Sequence, residues 1–359
     1  MRRKIIWLIL PALVFLSSCK YFLGPEPDTG PSDVLKSLWN DFNNIHANLD
    51  FRMSTNQNYK NWYDVYYEKQ NGYAQKINSG MSEESLFDLC ADMLEELKDP
   101  HVSIFSSDYG YRSYITGANE YFHTDKARSY LKGNGNTVNK NFIYGVFSSD
   151  PDIGYIYISE FLYESTEPEG RESVGAIDNI INALEKTKAL VLDVRNNRGG
   201  DIYVMEYIAA RFASESKDYC KLITKKGPGP NDFSAPIIFT LKSIKKASGD
   251  MYGYTKPIVL LTNKYTVSMA EWFTLALKTQ NHVTHIGTAT CGAFSPRKDR
   301  FMINGWMYSI SPGRVTDMNG NNYEGLGISP DKEEYIIVNT TNHMDNQLEE
   351  AVKIAAGVK

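Results

Sequence analysis

Residues 257–294 read P-I-V-L-L-T-N-K-Y-T-V-S-M-A-E-W-F-T-L-A-L-K-T-Q-N-H-V-T-H-I-G-T-A-T-C-G-A-F. The short apolar run Ile258 to Leu261 suits a strand buried on both faces of a covered sheet. After a turn, Ser268 heads an amphipathic pattern of Met269, Trp272, Phe273, Ala276 and Leu277. A second apolar run, Val283 to Gly287, reads as the next strand, so the unit is strand–Ser–helix–strand. Ser268 has two readings here. S-M-A-E is a capping box, in which Ser268 and Glu271 tie off the helix N-terminus with no further role. Alternatively, a serine on a strand-to-helix turn is exposed beside backbone N–H groups and a helix dipole that favour a developing oxyanion. The turn alone leaves both open.

At 359 residues the chain is long enough for a large core and two domains. The formal net charge of −5 offers no basic field to attract nucleic acid. The N-terminus reads as a targeting segment. Met1-Arg2-Arg3-Lys4 is a basic region, and Ile5 to Leu16 is an apolar stretch too short to span a membrane as a finished helix. It ends Leu16-Ser17-Ser18-Cys19, which resembles a bacterial lipobox cut before Cys19; the resemblance implies lipidation of that thiol. Residue 20 is Lys rather than Asp, so no inner-membrane retention signal is present. The expected address is the cell envelope, on the outer membrane if the cell has one. Cys90, Cys220 and Cys291 remain; their number is odd and no C-x-x-C spacing occurs, so they read as structural.

Residues 20–31, rich in Pro and Gly, read as a tether. Residues 32–100 read as an N-terminal helical subdomain. Its first helix is capped by Ser32 or Asp33, with Val34, Leu35, Leu38, Phe42 and Ile45 on one face. A second covers Asn61 to Asn71, and a third starts at Ser82 and stops before Asp99-Pro100, leaving His101 on its exit. Residues 101–150 read as a β-rich connecting segment with irregular strands and loops. Residues 151–359 read as α/β, with strands at Ile153–Ile158 and Ala189–Val194. Helices are expected at Arg171–Thr187, from Asp201 through Phe212, and after Asp345. G-P-G-P at 227–230 marks a surface excursion, and Phe301 to Ile310 is expected to pair with nearby strands. The patterns therefore argue a fold class of α+β to α/β, a helical subdomain followed by a domain built on a mostly parallel sheet with helices on it.

Five motifs stand in order: L-K-D-P-H at 97–101, V-L-D-V-R-N-N-R-G-G at 191–200, T-V-S-M-A-E at 266–271, G-T-A-T-C-G-A at 287–293 and E-G-L-G-I-S-P-D at 324–331. Together they resemble the carboxyl-terminal processing (tail-specific) serine peptidases, including the tricorn core. The resemblance runs from about Asp33 to Val338 and implies a mixed β-sheet catalytic domain akin to the crotonase and Clp fold. Acyl transfer needs a nucleophile, a base, a group that orients the base, and an oxyanion hole. The resemblance implies Ser268 as nucleophile, with the N–H of Met269 and one of Gly199 or Gly200 as oxyanion donors. Asp193 and Arg195 are expected to brace the glycine turn. Many relatives carry a Lys base in G-x-x-T-x-G-K; here Ala293 stands at that position, and Lys298 is out of register. His101 and Glu324 match the base and carboxylate of the tricorn-like branch. His282 and His285 lie three apart with no acidic cluster, so no metal site is expected, and no cofactor. Only residues 102–141 separate His101 from the Phe142 strand, too few for the PDZ domain that many relatives insert there.

The reading that results is a lipid-anchored extracytoplasmic serine endopeptidase. Its partners are a peptide or protein substrate and the membrane. The competing class is an inactive peptidase-like lipoprotein that holds peptides or other ligands in the same groove.

Overall fold

The computed structural model describes residues 29–113, 122–162, 171–245, 251–333 and 345–357. Cys19, the targeting segment and most of the tether lie outside the described residues. The first helix is Pro31–Ile45, with Gly30 rather than Ser32 or Asp33 at its N-cap. Proline at the first helical position loses no bond, because that N–H has no intrahelical partner anyway. Val34, Leu35, Leu38, Trp39 and Phe42 form the buried face. Trp39 and Trp62 each donate an indole N–H to the other's carbonyl, at 2.9 and 3.1 Å. The second helix is shorter than its pattern suggests, Trp62–Tyr67. Glu68 leaves the helical region, and its carboxylate accepts from the N–H groups of Gln70 and Asn71, so local turn bonding wins. A further short helix, Leu49–Met53, carries no clear sequence signal. The third helix, Glu83–Glu95, starts on Ser82 as its cap implies.

The main sheet has seven strands in the order Lys332–Glu333, Val283–Gly287, Ile258–Thr262, Ala189–Asp193, Ile153–Ile158, Phe142–Val146, Asn136–Val138. The first five run parallel; Phe142–Val146 pairs antiparallel to them and Asn136–Val138 antiparallel to it, which makes the sheet mixed. Alternate residues of its central strands enter opposite cores. Ile156, Leu190, Leu192 and Leu260 pack with helices Ile202–Ala209 and Met269–Lys278. Tyr155, Val191, Val259 and Leu261 pack with the C-terminal helix Asn346–Ala355. Burial on both faces is why these strands read as unbroken apolar runs.

The sheets cut across the division expected at residue 150. Phe142–Val146 already belongs to the main sheet. Conversely, the hairpin Lys298–Phe301 and Met307–Ile310 joins Ser103–Ser106 and Gly110–Ser113 in a four-stranded antiparallel sheet. Met302, Trp306, Tyr308 and Ile310 thereby share one core with the N-terminal helices. A third sheet joins Gly313–Asp317, Lys217–Thr224 and Ile237–Leu241. Inside the segment expected to be irregular there is also a short helix, Thr124–Ser129.

At the end of strand Ala189–Asp193, Arg195 is fully buried. Its guanidinium donates to Asp193 at 2.7 Å, to Asp345 at 2.9 Å and to Gln347 at 3.1 Å. Tyr155 donates to the same Asp193. Asp345 caps the C-terminal helix through Leu348 N–H, so one cation ties that helix to the sheet. Replacing Arg195 by Leu leaves two buried carboxylates without a counter-charge. The expected loss is about 3–5 kcal/mol in denaturant unfolding; a loss under about 1 kcal/mol would show that the cation does not hold the helix.

Candidate active site

Strand Ile258–Thr262 is wholly buried and delivers the chain into a reverse turn. That turn is closed by Thr266, which donates to Val194 O, and by Asn263, whose side chain accepts from Tyr265 N–H. Ser268 follows at φ 60°, ψ −125°. A non-glycine residue here is strained by about 1–3 kcal/mol and persists only where its surroundings over-determine it. Ser268 and Glu271 stand in the reciprocal contacts of a capping box, yet the Ser268 hydroxyl itself makes no capping hydrogen bond, because Glu271 N–H is taken by the Ser268 carbonyl. Glu271 reaches back to accept from Ser268 N–H at 3.1 Å, whereas Glu271 N–H goes to the carbonyl of Ser268 at 2.8 Å. A serine on a strained strand-to-helix turn with a free hydroxyl has the geometry of a nucleophile elbow rather than of a simple cap.

Glu271 is fully buried, and its carboxylate also accepts from Thr290 Oγ1 at 2.7 Å, Gly292 N–H at 2.6 Å and Ala293 N–H at 2.8 Å. Burial pushes its pKa up to about 7 against the pull of those donors. Ala293, where the sequence resemblance implies a Lys in many relatives, is itself fully buried. Lys298 starts an exposed edge strand paired to Ile310.

The glycine turn abuts the elbow. A Cβ on Gly199, at φ +91°, would lie 2.7 Å from both Met269 N and Ser268 Cβ, so only glycine fits. The two glycines are not equivalent. Gly199 N–H donates to Asn197 Oδ1 at 2.8 Å, and Asn197 is anchored in turn on Ile158 O. Among the described residues the N–H groups of Gly200 and Met269 take no such bond, and Met269 stands at the first helical position, where the N–H is unpaired by construction. Of the three oxyanion donors named from the sequence, Gly199 is therefore otherwise engaged.

His101 leaves the Glu83–Glu95 helix through Lys98, at φ 47°, and Asp99. Asp99 is fully buried and accepts from His101 N–H at 2.9 Å, from Ser311 Oγ at 2.8 Å and from His46 Nε2 at 3.0 Å. Asn48 N–H donates to the other nitrogen of His46, leaving the proton on Nε2. Although burial opposes ionisation, Arg52 and His46 hold Asp99 below the ordinary carboxylate range. The ring of His101 is half-buried, and its Nδ1 is buried without a partner. Burial lowers its pKa, opposed by the charges of Asp99 and then Glu324.

Glu324 does not bond to that ring. Its Oε1 accepts from Arg52 Nη2 at 2.5 Å, and its Oε2 from the N–H groups of Phe294 and Ser295. Arg52 also donates to Gly292 O and Lys98 O. A path of hydrogen bonds, closed by the Arg52–Asp99 ion pair at 3.5 Å, thus runs from Ser268 N–H through Glu271 to Ala293, on from Phe294 to Glu324, and through Arg52 and Asp99 to His101 N–H. It fixes the backbones of both residues; among the described residues the Ser268 hydroxyl and the His101 ring do not bond to each other. His282 and His285 sit elsewhere, bonded to Phe212 O and Thr262 Oγ1. Cys90 and Cys220 are buried thiols and Cys291 is half-buried; none is paired. Sequence reasoning misses Arg52 and Asp99. Arg52 has no local motif, and Asp99 reads only as part of a helix stop.

Residues 152–334 match the sequence profile of Peptidase family S41, about half of the chain. The chain belongs to this family of serine peptidases, with a mixed α+β fold. It is similar to two Bacillus subtilis (strain 168) proteins, Carboxy-terminal processing protease CtpB and CtpA, with 27% identity over 180 and 183 residues. These matches take in 50% of this chain but only 33% and 34% of the relatives, so the chain spans about a third of their length. Among solved structures, a candidate peptidase from Parabacteroides merdae ATCC 43184 superposes with a TM-score of 0.77 at 26% identity, covering 91% of this chain and 97% of that one. Mature CPAF complexed with lactacystin gives 0.68 at 13% identity over 92% and 98%. A lipoprotein from Streptococcus agalactiae gives 0.55 at 16% over the same shares. The last two share the fold.

Glu271→Gln turns an amide NH2 toward donors that need acceptors. The expected cost is about 1–3 kcal/mol. The folded carboxyl keeps its proton to about pH 7 and the unfolded one only to about 4.5, so between them the folded state binds more protons. Wild-type stability from this group therefore falls as pH rises through that window. The gap between wild type and variant should narrow from pH 4.5 to 7 in parallel urea titrations; a constant gap would mean Glu271 is ionised throughout.

Proposed function

We propose that the chain is a serine endopeptidase that hydrolyses peptide bonds outside the cytoplasm while anchored by lipid at Cys19. The observation that carries the catalytic part is the strained Ser268 with a free hydroxyl, set against a glycine-only approach and two unengaged N–H groups. Ser268 Oγ attacks the scissile carbonyl, and the N–H groups of Met269 and Gly200 stabilise the oxyanion. His101 takes the serine proton through Nε2 and returns it to the leaving amine; a water then releases the acyl group by the reverse sequence. Asp99 and Glu324 stabilise the imidazolium through their charge rather than by a bond to the ring, with Arg52 fixing both carboxylates. With Ala293 in place of Lys, an imidazole serves as base near neutral pH without extreme desolvation. The family of the chain supports a peptide or protein substrate.

An active-site phosphonate separates catalysis from ligand holding. It should label wild type stoichiometrically on Ser268 and leave Ser268→Ala unlabelled. Ser268→Ala and His101→Ala are expected to be about equally damaging to peptide cleavage and not additive, as for residues acting as one unit. Glu324→Gln should reduce cleavage less, and Lys298→Ala should be nearly silent. An active His101→Ala chain, or a dead Lys298→Ala one, would move the base to a displaced lysine.

The envelope address rests on the Leu16-Ser17-Ser18-Cys19 run. Metabolic labelling with an alkyne fatty-acid analogue should tag wild type and not Cys19→Ala, while both fold alike. A wild type that never takes the label overturns the anchor.

A further inference from the structure

The chain leaving His101 alternates between two environments. Val102 and Ile104 are buried in the core of the N-terminal helices. By that alternation Ser103 and Phe105 stand on the opposite face of strand Ser103–Ser106, with His101 leading into it. The register of the four-stranded sheet extends this face, since side chains directly opposite each other share one. Ser103 stands opposite Ser309 and Ser113, and Phe105 opposite Met307 and Tyr111. Met307 stands in turn opposite Phe301. A serine row therefore lies next to His101, and an apolar row lies beyond it. The serine row is closed: Ser103 and Ser309 share a hydrogen bond at 2.7 Å, and Ser309 donates to His101 O at 2.7 Å. That second bond ties the backbone of His101 to this face. The apolar row is open. Phe301 is 73% exposed, Tyr111 54% and Phe105 40%, and Met307 between them is half-buried.

The charges of this face cancel. Arg297 donates to Asp299 at 2.9 Å, and Asp299 stands in the serine row opposite Ser309. Lys298, Arg300 and Arg112 fall on the other face, paired with Ile310, Tyr308 and Ile104. The Tyr111 hydroxyl lies beside Ser103, Ser113 and Arg297, so its ring leans from the apolar row back over the serines. One uncharged surface thus runs from the neighbourhood of His101 to Phe301. A contiguous apolar surface of this kind marks a binding face, and its position says what binds. Phe105 lies four residues beyond His101 on the same face, about 13 Å along a strand, which an extended peptide covers in about four residues. We propose that the row is a distal subsite for the substrate of the serine site. It takes a large apolar side chain, such as Phe, Leu or Met, about four residues from the scissile bond. The subsite rests on the peptidase reading and adds to it a preference set far from the reacting atoms.

The test is a digest of a proteome-derived peptide library by the full chain, with the cut positions read by mass spectrometry. Wild type is compared with the double variant Phe105→Ser, Phe301→Ser and with Phe301→Ser alone, the milder change should the double variant melt early. Wild type should favour Phe, Leu and Met about three to five residues from the cut, on one side of it. The expected preference is about tenfold, the low end of what one apolar side chain gives in a pocket. Both variants should lose most of it while the preferences next to the cut persist, and Phe105→Trp should keep it. Cutting by wild type without that distal preference, or a preference that survives both variants at matched melting temperature, overturns the subsite alone. A wild type that cuts nothing fails the peptidase reading, and the subsite falls with it. A concentration-dependent dimer in analytical ultracentrifugation that Phe301→Ser abolishes, with the cut pattern unchanged, assigns the row to a second copy and overturns the subsite equally.

Discussion

The carboxylate of Glu271 is the constraint on which the serine turn depends. It is fully buried and holds four donors from two loops: Ser268, Thr290, Gly292 and Ala293. A backbone at φ 60° does not persist by local preference, since a side chain at Ser268 gains nothing from it. It persists because the helix that follows carries the acceptor for its N–H, and because that acceptor is also clamped to the neighbouring loop. Residues 290–293 are held in turn by Gly325 N–H on Gly292 O and by Ile328 N–H on Thr290 Oγ1. The elbow, the Ala293 loop and the Glu324 loop therefore form one rigid unit.

The N-terminal helices enter the site through Arg52. Its guanidinium is nearly inaccessible and sits between Glu324 and Asp99, at 2.5 and 3.5 Å. Buried cations of this kind cost much to desolvate and contribute chiefly by fixing partners. Glu324 lies 272 residues away in the chain, whereas Asp99 follows directly on the N-terminal helices, so one side chain registers the helical unit against the sheet domain. The shared core of Met302, Trp306 and Tyr308 with the same helices has the same effect by packing. The two halves of the chain thus share one core and one network of buried charges.

Much of this was legible in the sequence because it is local. The apolar runs Ile258–Leu261 and Ala189–Val194, the caps Ser82, Asp201 and Asp345, and the Gly199–Gly200 turn each carry their signal within a few residues. What was not legible is long-range pairing. L-D-F-R-M gives no sign that Arg52 meets Glu324, and D-P-H reads as a helix stop whether or not Asp99 is buried against His46 and Ser311. The pairing of Lys298–Ile310 with Ser103–Ser106 is likewise set by tertiary packing. Gly199 and Gly200 are alike on paper; a side chain two residues before the first of them, Asn197, makes them different. Likewise, the motifs name Glu324 beside His101 without showing that Arg52 takes its carboxylate.

The fully buried methyl of Ala293 restricts what can replace it. A lysine there would have to insert four carbons and an ammonium where packing leaves no exposed surface, a step that overpacks by about 1–3 kcal/mol before its charge is considered. A lysine introduced there is therefore expected to cost stability until neighbouring residues change to make room, so the two residues are not interchangeable in this packing.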